Sequence, residues 1–222
     1  MFDDFKNTLK KCKIVPVVTI FDENTALSLA DALLEGGINA VEIAFRTIDS
    51  ENGLKKIASC IKTLAVSRPQ LLVGAGTVIN ADLAQTAADS GAKFIVSPGF
   101  NPATIEFCLK NDIPICPGIN APTFIELALN YGLDFLKFFP AELSGGVKML
   151  KAFSGPFPQV SFMPTGGVSR ENLCSYLACK NVCSVGGTWM ANSEMIKNQD
   201  WQGIAKASKE AVNLAFSVPS AL

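Results

Sequence analysis

The 222-residue sequence predicts an α/β fold, a single (β/α)8 TIM barrel that takes up the whole chain, 1–222. Three features point there: eight short runs rich in β-branched or aromatic residues, helix-like amphipathic stretches between them, and a repeat of roughly 20–30 residues. Strands separated by a helix pair in parallel through right-handed crossovers. Eight such units favour closure into a barrel. An open doubly wound sheet is the alternative, and no GxGxxG follows the first strand to support it.

The strands are expected at 15–20, 40–45, 71–75, 94–97, 115–117, 135–138, 161–163 and 182–185. After the first, Asn24 reads as a helix cap. It is followed by the apolar stripe Ala26, Leu27, Leu29, Ala30, Leu33 and Leu34 and by a stop at Gly36 and Gly37. Residues 80–91 repeat the pattern, opening on Asn80 and closing on Gly91. Asn101-Pro102 and Ala121-Pro122 put proline in a first helical turn, where its missing N–H is not needed, and Gly132 closes the second of these helices. After Trp189 a short loop leads to a closing helix over 201–215, with Ile204, Ala207, Ala211, Leu214 and Ala215 at helical spacing. Nothing along the chain reads as a linker or a low-complexity tract.

Composition narrows the function. Hydrophobic residues make up 49% of the chain, enough for one large core. The 19 basic and 20 acidic residues leave a net charge of -1 without a long run of either sign. That balance offers no footprint for nucleic acid or an anionic membrane and favours a small-molecule partner. Residues 1–12 mix Asp, Lys and Phe and do not resemble a secretory signal. Apolar runs such as 14–21 fall short of the roughly 20 residues that cross a bilayer.

Seven scattered cysteines fit buried thiols in a reducing compartment, so a cytoplasmic location is expected. Cys174, Cys179 and Cys183 lack the CxxC pairing of a zinc site, and no histidine is available to complete a mixed one, so no metal is expected. The missing histidine also removes Ser-His-Asp, Cys-His and His-ligated metal chemistry. Lysine, carboxylates, arginine and hydroxyls remain.

Lys137 sits in a run of aromatics, Phe135-Leu136-Lys137-Phe138-Phe139, with no carboxylate adjacent in sequence. Desolvation there disfavours the ammonium, and a neutral lysine attacks ketones. The competing reading is a strand-end lysine that reaches solvent. In 41–46, strand alternation puts Val41, Ile43 and Phe45 on one face and Glu42, Ala44 and Arg46 on the other. If the apolar set packs on the helices, Glu42 and Arg46 point into the barrel, either as a structural ion pair or as a proton shuttle beside a carboxylate clamp. Glycine-rich turns follow three strands: 74–77, 165–167 and 186–188. The last two stand where such barrels cradle phosphate with backbone N–H groups, although a plain strand-to-helix connection uses the same residues.

Taken in order, VEIAFRT (41–47), GAGTV (74–78), SPG (97–99), KFFPAE (137–142), PTGG (164–167) and GGTW (186–189) resemble the KDPG/4-hydroxy-2-oxoglutarate aldolase family over essentially the whole chain. The resemblance implies a class I lyase that cleaves 2-dehydro-3-deoxy-6-phosphogluconate to pyruvate and glyceraldehyde 3-phosphate, as in the Entner-Doudoroff pathway. It also implies a homotrimer, and no cofactor or metal beyond a covalent Schiff base on Lys137. By motif, Glu42 corresponds to the general acid/base, and Arg46 and Thr77 to the groups that hold the pyruvate carboxylate. Pro98, Phe139 and Thr165 line the pocket, and Gly166, Gly167, Gly187 and Thr188 receive the phosphate. Thr188 departs from the serine common in the family: the hydroxyl is retained, and the extra methyl alters the fit. Rival expectations are the same chemistry on 4-hydroxy-2-oxoglutarate or on the galactonate-derived epimer, a non-catalytic barrel that binds a phosphorylated metabolite, and a phosphate-binding isomerase or transferase with no need of Lys137.

Overall fold

The structure, a computed structural model, describes residues 2–46 and 51–219. Its strand segments are β1 (Ile14–Val18), β2 (Ala40–Ala44), β3 (Leu72–Gly76), β4 (Phe94–Val96), β5 (Ile115–Cys116), β6 (Gly118–Ile119), β7 (Phe135–Phe138), β8 (Ser161–Pro164) and β9 (Val185–Gly187). All pair in parallel, in the orders β5-β4-β3-β2-β1-β9 and β6-β7-β8. The two sheets are one barrel. β5 and β6 form a single stave interrupted at Pro117, and bridges from Phe162 to Val182 and from Thr165 to Gly186 close the opposite side. Proline has no N–H to give a ladder, which breaks the stave locally. Its carbonyl still accepts from the Lys137 N–H at 2.9 Å, so β7 stays in register. Counted this way the eight expected staves are present. The last starts later than expected: Val182 contributes only an isolated bridge, and the ladder with β1 begins at Val185.

The helices around the barrel are α2 (Glu23–Glu35), α3 (Glu51–Ser67), α4 (Ala81–Asp89), α5 (Pro102–Lys110), α6 (Pro122–Asn130), α7 (Gly146–Phe153), α8 (Leu173–Leu177), α9 (Ser193–Lys197) and α10 (Trp201–Ser217), preceded by α1 (Phe2–Cys12). Asn80 and Asn101 cap α4 and α5 as expected, accepting from the N–H groups of Leu83 and Ala103. Asn24 does not cap α2. Asp22 does, through the Thr25 N–H, because the helix starts two residues earlier than the apolar stripe suggests. The segment after Trp189 is also more structured than a loop, holding a short 3-10 turn (Trp189–Ala191) and α9 before α10. At the end of α2, Gly36 permits close contact with α10: a Cβ there would lie 2.3 Å from the Ser208 Cβ.

Inside the barrel the side chains stack in layers. The floor is apolar, built from Val15, Ala40, Phe94, Val96, Cys116, Phe135 and Met163, and α1 closes it with Phe5 and Leu9. The Phe5 ring centroid lies 5.1 Å from that of Phe94 and 5.7 Å from that of Phe135. No helix was anticipated over residues 1–12, although Phe2, Phe5, Leu9 and Cys12 stand at helical spacing there. Outside the staves, Val41, Ile43 and Phe45 join the larger core between barrel and helices, which leaves Glu42 on the inner face.

Candidate active site

Above the apolar floor comes a polar layer. Lys137, from the middle of β7, is 2% exposed, and Glu42, from the middle of β2, is 0% exposed. The lysine Nζ donates to Glu42 Oε1 at 3.3 Å. The strand-end reading of Lys137 is thus overturned: a mid-strand, inward position keeps the amine out of solvent. No carboxylate neighbours Lys137 in sequence, but the roles implied by the family resemblance need Glu42 within its reach, and register across the barrel brings that carboxylate from a strand ninety-five residues earlier. An aromatic contact is also present, with Nζ 5.3 Å from the Phe139 ring centroid. Space for the carboxylate comes from β3, since a Cβ on Gly76 would stand 2.0 Å from Glu42 Oε1.

Removing two charges from water costs several kcal/mol per ion, so a buried pair is weak evidence for stability. Glu42 Oε2 adds to that cost, being buried without a hydrogen-bond partner among the described residues. An orphaned carboxylate oxygen beside a buried amine is a poor structural tie and leaves a hydrogen-bond acceptor open to a substrate hydroxyl.

The rim lies over this pair. Arg46, Thr77, Pro98, Phe139, Thr165, Gly166, Gly167, Gly187 and Thr188 line one cavity of about 360 Å³, together with Val17 and Val168. Lys137 and Glu42 lie a layer deeper than this lining, and Phe139 belongs to the wall of the cavity and to the contacts of the amine. Arg46 lines the cavity on the side that alternation implied but is not shielded inside the barrel: it follows the end of β2, is exposed at the mouth, and donates from Nε to Thr77 Oγ1 at 3.3 Å. The ion pair of Glu42 is accordingly with Lys137 and not with Arg46. Thr77 holds φ +59°, an unfavourable region for a β-branched residue, of the kind that gathers at functional sites. Thr47, the last residue of VEIAFRT, lies outside the described residues.

Opposite Arg46 the wall is the turn after β8, where Gly166 and Gly167 take φ +96° and +80°. Thr165 Oγ1, buried and lining the cavity, has no hydrogen-bond partner among the described residues. The cavity therefore has a cationic end, a glycine-turn end and an amine–carboxylate pair beneath. Val17 was legible from the same inward parity as Val15 but carries no polar group to draw notice. The contacts of the 165–167 turn with Glu142, and through it Tyr176, had no local signal. Among the described residues, no three His, Cys, Asp or Glu side chains converge as a metal-holding group.

The model of the KDPG and KHG aldolase family matches residues 5–207. The chain belongs to this family. The 2-dehydro-3-deoxy-phosphogluconate aldolase of Haemophilus influenzae is 40% identical over 93% of this chain and 94% of its own. Two solved KDPG aldolases superpose on the barrel. That of Legionella pneumophila, holding pyruvate as a covalent carbinolamine intermediate, has a TM-score of 0.86 and 36% identity over 93% of this chain and 97% of its own. That of Zymomonas mobilis, with 3-phosphoglycerate, has a TM-score of 0.85 and 33% identity over 95% and 96%. Within an aldolase of this family, a buried amine beside a carboxylate has an immediate chemical use.

Proposed function

We propose that this chain is a class I aldolase that cleaves 2-dehydro-3-deoxy-6-phosphogluconate to pyruvate and glyceraldehyde 3-phosphate through a Schiff base on Lys137. The observation that carries the reading is the Lys137–Glu42 pair, buried beneath a cavity with a cationic end and a glycine-turn end. A carbinolamine is the adduct an amine forms with a ketone, and the Legionella relative holds pyruvate in that form.

Lys137 adds to the C2 carbonyl, and loss of water leaves an iminium that draws electrons from the C3–C4 bond. Glu42, at hydrogen-bond distance from the amine, takes the C4 hydroxyl proton as that bond breaks and glyceraldehyde 3-phosphate departs. The same carboxyl returns the proton to C3 of the enamine, and hydrolysis frees pyruvate and the lysine. In this reading Arg46 and Thr77 hold the substrate carboxylate by a bidentate fork and a hydroxyl. Pro98, Phe139 and Thr165 shape the pocket, while Gly166, Gly167, Gly187 and Thr188 receive the phosphate through N–H groups and one hydroxyl.

Incubation with pyruvate and borohydride should leave a reduced pyruvyl group on Lys137, read by peptide mass spectrometry. A protein recovered unmodified would return the advantage to a binding barrel. The family description also covers KHG aldolase, so 4-hydroxy-2-oxoglutarate is the second substrate to assay, and it lacks the phosphate. Purified gluconate- and galactonate-derived compounds separate the epimers.

The mechanism calls on no metal or other cofactor, and EDTA should leave the rate unchanged; inhibition reversed by a divalent cation would contradict the Schiff-base route. Among the described residues no helix is long and apolar enough to cross a membrane. We further propose that residues 1–222 act as one barrel domain, located in the cytoplasm as a homotrimer without nucleic-acid or membrane partners. Light scattering tests the trimer.

A further inference from the structure

We infer that Glu142 and Tyr176 are positioning residues for the phosphorylated half of the substrate, together holding the 165–167 turn in its anion-receiving shape. The inference rests on the aldolase reading above and concerns residues to which that reading gives no part.

Two consecutive glycines with positive φ make a turn with many accessible conformations, so something outside it must select one. Its carbonyls are all engaged. Thr165 O accepts from the Ala141 N–H at 2.8 Å, Gly166 O from the Glu142 N–H at 3.1 Å, and Gly167 O from Asn172 Nδ2 at 3.0 Å. A carbonyl turned toward a phosphate would repel it; tying the carbonyls elsewhere leaves the amides as the groups the turn has to offer.

The Glu142 side chain packs directly under the turn. A Cβ on Gly167 would stand 2.5 Å from Glu142 Cγ and 2.7 Å from its Cβ. The far end is pinned by Tyr176, a fully buried side chain from α8 whose hydroxyl donates to Glu142 Oε1. Gly146 closes the remaining space, since a Cβ there would lie 3.1 Å from that oxygen and 3.2 Å from the tyrosine hydroxyl. Burial, and then the carboxylate itself, push the Tyr176 hydroxyl well above the usual tyrosine range, so it remains a donor at any working pH. Without it, the exposed Glu142 carboxylate would be free to swing, leaving the turn unsupported and carrying a negative charge next to an anion site. Glu142 closes the KFFPAE run that begins at Lys137, so one short segment ties the Schiff-base strand to the phosphate turn.

The test compares Tyr176→Phe, Glu142→Ala and Glu142→Gln on the phosphorylated gluconate substrate and on 4-hydroxy-2-oxoglutarate. Tyr176→Phe and Glu142→Ala should raise KM for the phosphorylated substrate by about tenfold, the loss of one charge-assisted hydrogen bond. Their kcat and their kinetics on 4-hydroxy-2-oxoglutarate should stay near those of the unaltered protein. Glu142→Gln keeps an oxygen for the tyrosine and should recover most of the affinity. Equal losses on both substrates, or no rise in KM, would overturn the positioning role. Should the buried Tyr176→Phe fail to fold, Glu142→Ala carries the same test from an exposed position. Borohydride trapping of pyruvate, run in parallel, separates the two ideas: a normal adduct without the KM split sinks only this inference, whereas no adduct in the unaltered protein sinks both.

Discussion

At the scale of single residues, Lys137 and Glu42 are each other's only described ionic partner within the barrel, and each leaves the other exposed to loss. Removing one partner of a buried pair costs about 3–5 kcal/mol, because an uncompensated charge remains, whereas removing both is far milder. Lys137→Met should therefore abolish turnover and lower the urea midpoint, and adding Glu42→Gln should recover much of the stability but none of the activity. Unfolding curves of the two variants check this; equal stabilities would mean that the pair is not electrostatically linked. The type of residue at these positions was legible in the sequence. Their partnership was implied only by the family resemblance, since nothing local to residue 137 announces a carboxylate held at residue 42. Arg46 shows how far alternation reaches: it stands on the cavity side that parity implied, but two residues beyond the end of the strand at Ala44 it is at the exposed mouth and not in the shielded interior.

At the scale of elements, the barrel was readable because its staves are short apolar runs and its helices carry ordinary punctuation. Asn80, Asn101 and Gly132 act as expected, the last with φ +74°. The misplaced boundaries have local causes: an aspartate two residues before Asn24 takes the cap, Pro117 splits a stave, and α1 is held by Phe5 and Leu9 against the barrel floor. β3 supplies the sharpest test of an element's share in the site. Gly76→Ala would put a methyl 2.0 Å from Glu42 Oε1, on a strand that cannot move without disturbing its ladders with β2 and β4. The carboxylate must shift instead, and kcat should fall by about a hundredfold, the usual worth of a positioned acid/base group, with little change in the far-ultraviolet circular dichroism. Retained kcat would show that Glu42 tolerates displacement.

At the scale of the whole molecule, burial sets the chemistry of the thiols. All seven cysteines are free, and Cys12 and Cys174 alone are half-buried, the others being buried. Burial pushes Cys60 up to about 11 and Cys108 up to about 12. In the unfolded chain these thiols ionise near the ordinary value of about 8.5. Above that pH the unfolded state binds fewer protons than the folded one, so this contribution is present in full at neutral pH and is lost as pH rises through the folded values. Urea midpoints should drop between about pH 9 and pH 11, and Cys60→Ala/Cys108→Ala should flatten the slope. An unchanged slope would mean that other groups govern the alkaline limb. Iodoacetamide at neutral pH should reach Cys12 and Cys174 ahead of the rest, as peptide mapping would report.

The sequence by itself determined the alternation of strands and helices and the exclusion of histidine chemistry, and it singled out a candidate lysine, carboxylate and glycine turns, because these follow from residue type and from periods of 2 and 3.6 residues. Tertiary structure alone decided that Glu42 touches Lys137 directly, that Arg46 bonds Thr77 at the exposed mouth, and that Glu142 lies against Gly167 with Tyr176 on its carboxylate. Those contacts join residues far apart in the chain, and their distances are set by the closure and stagger of the barrel, a property of all the staves together that no local run of residues encodes.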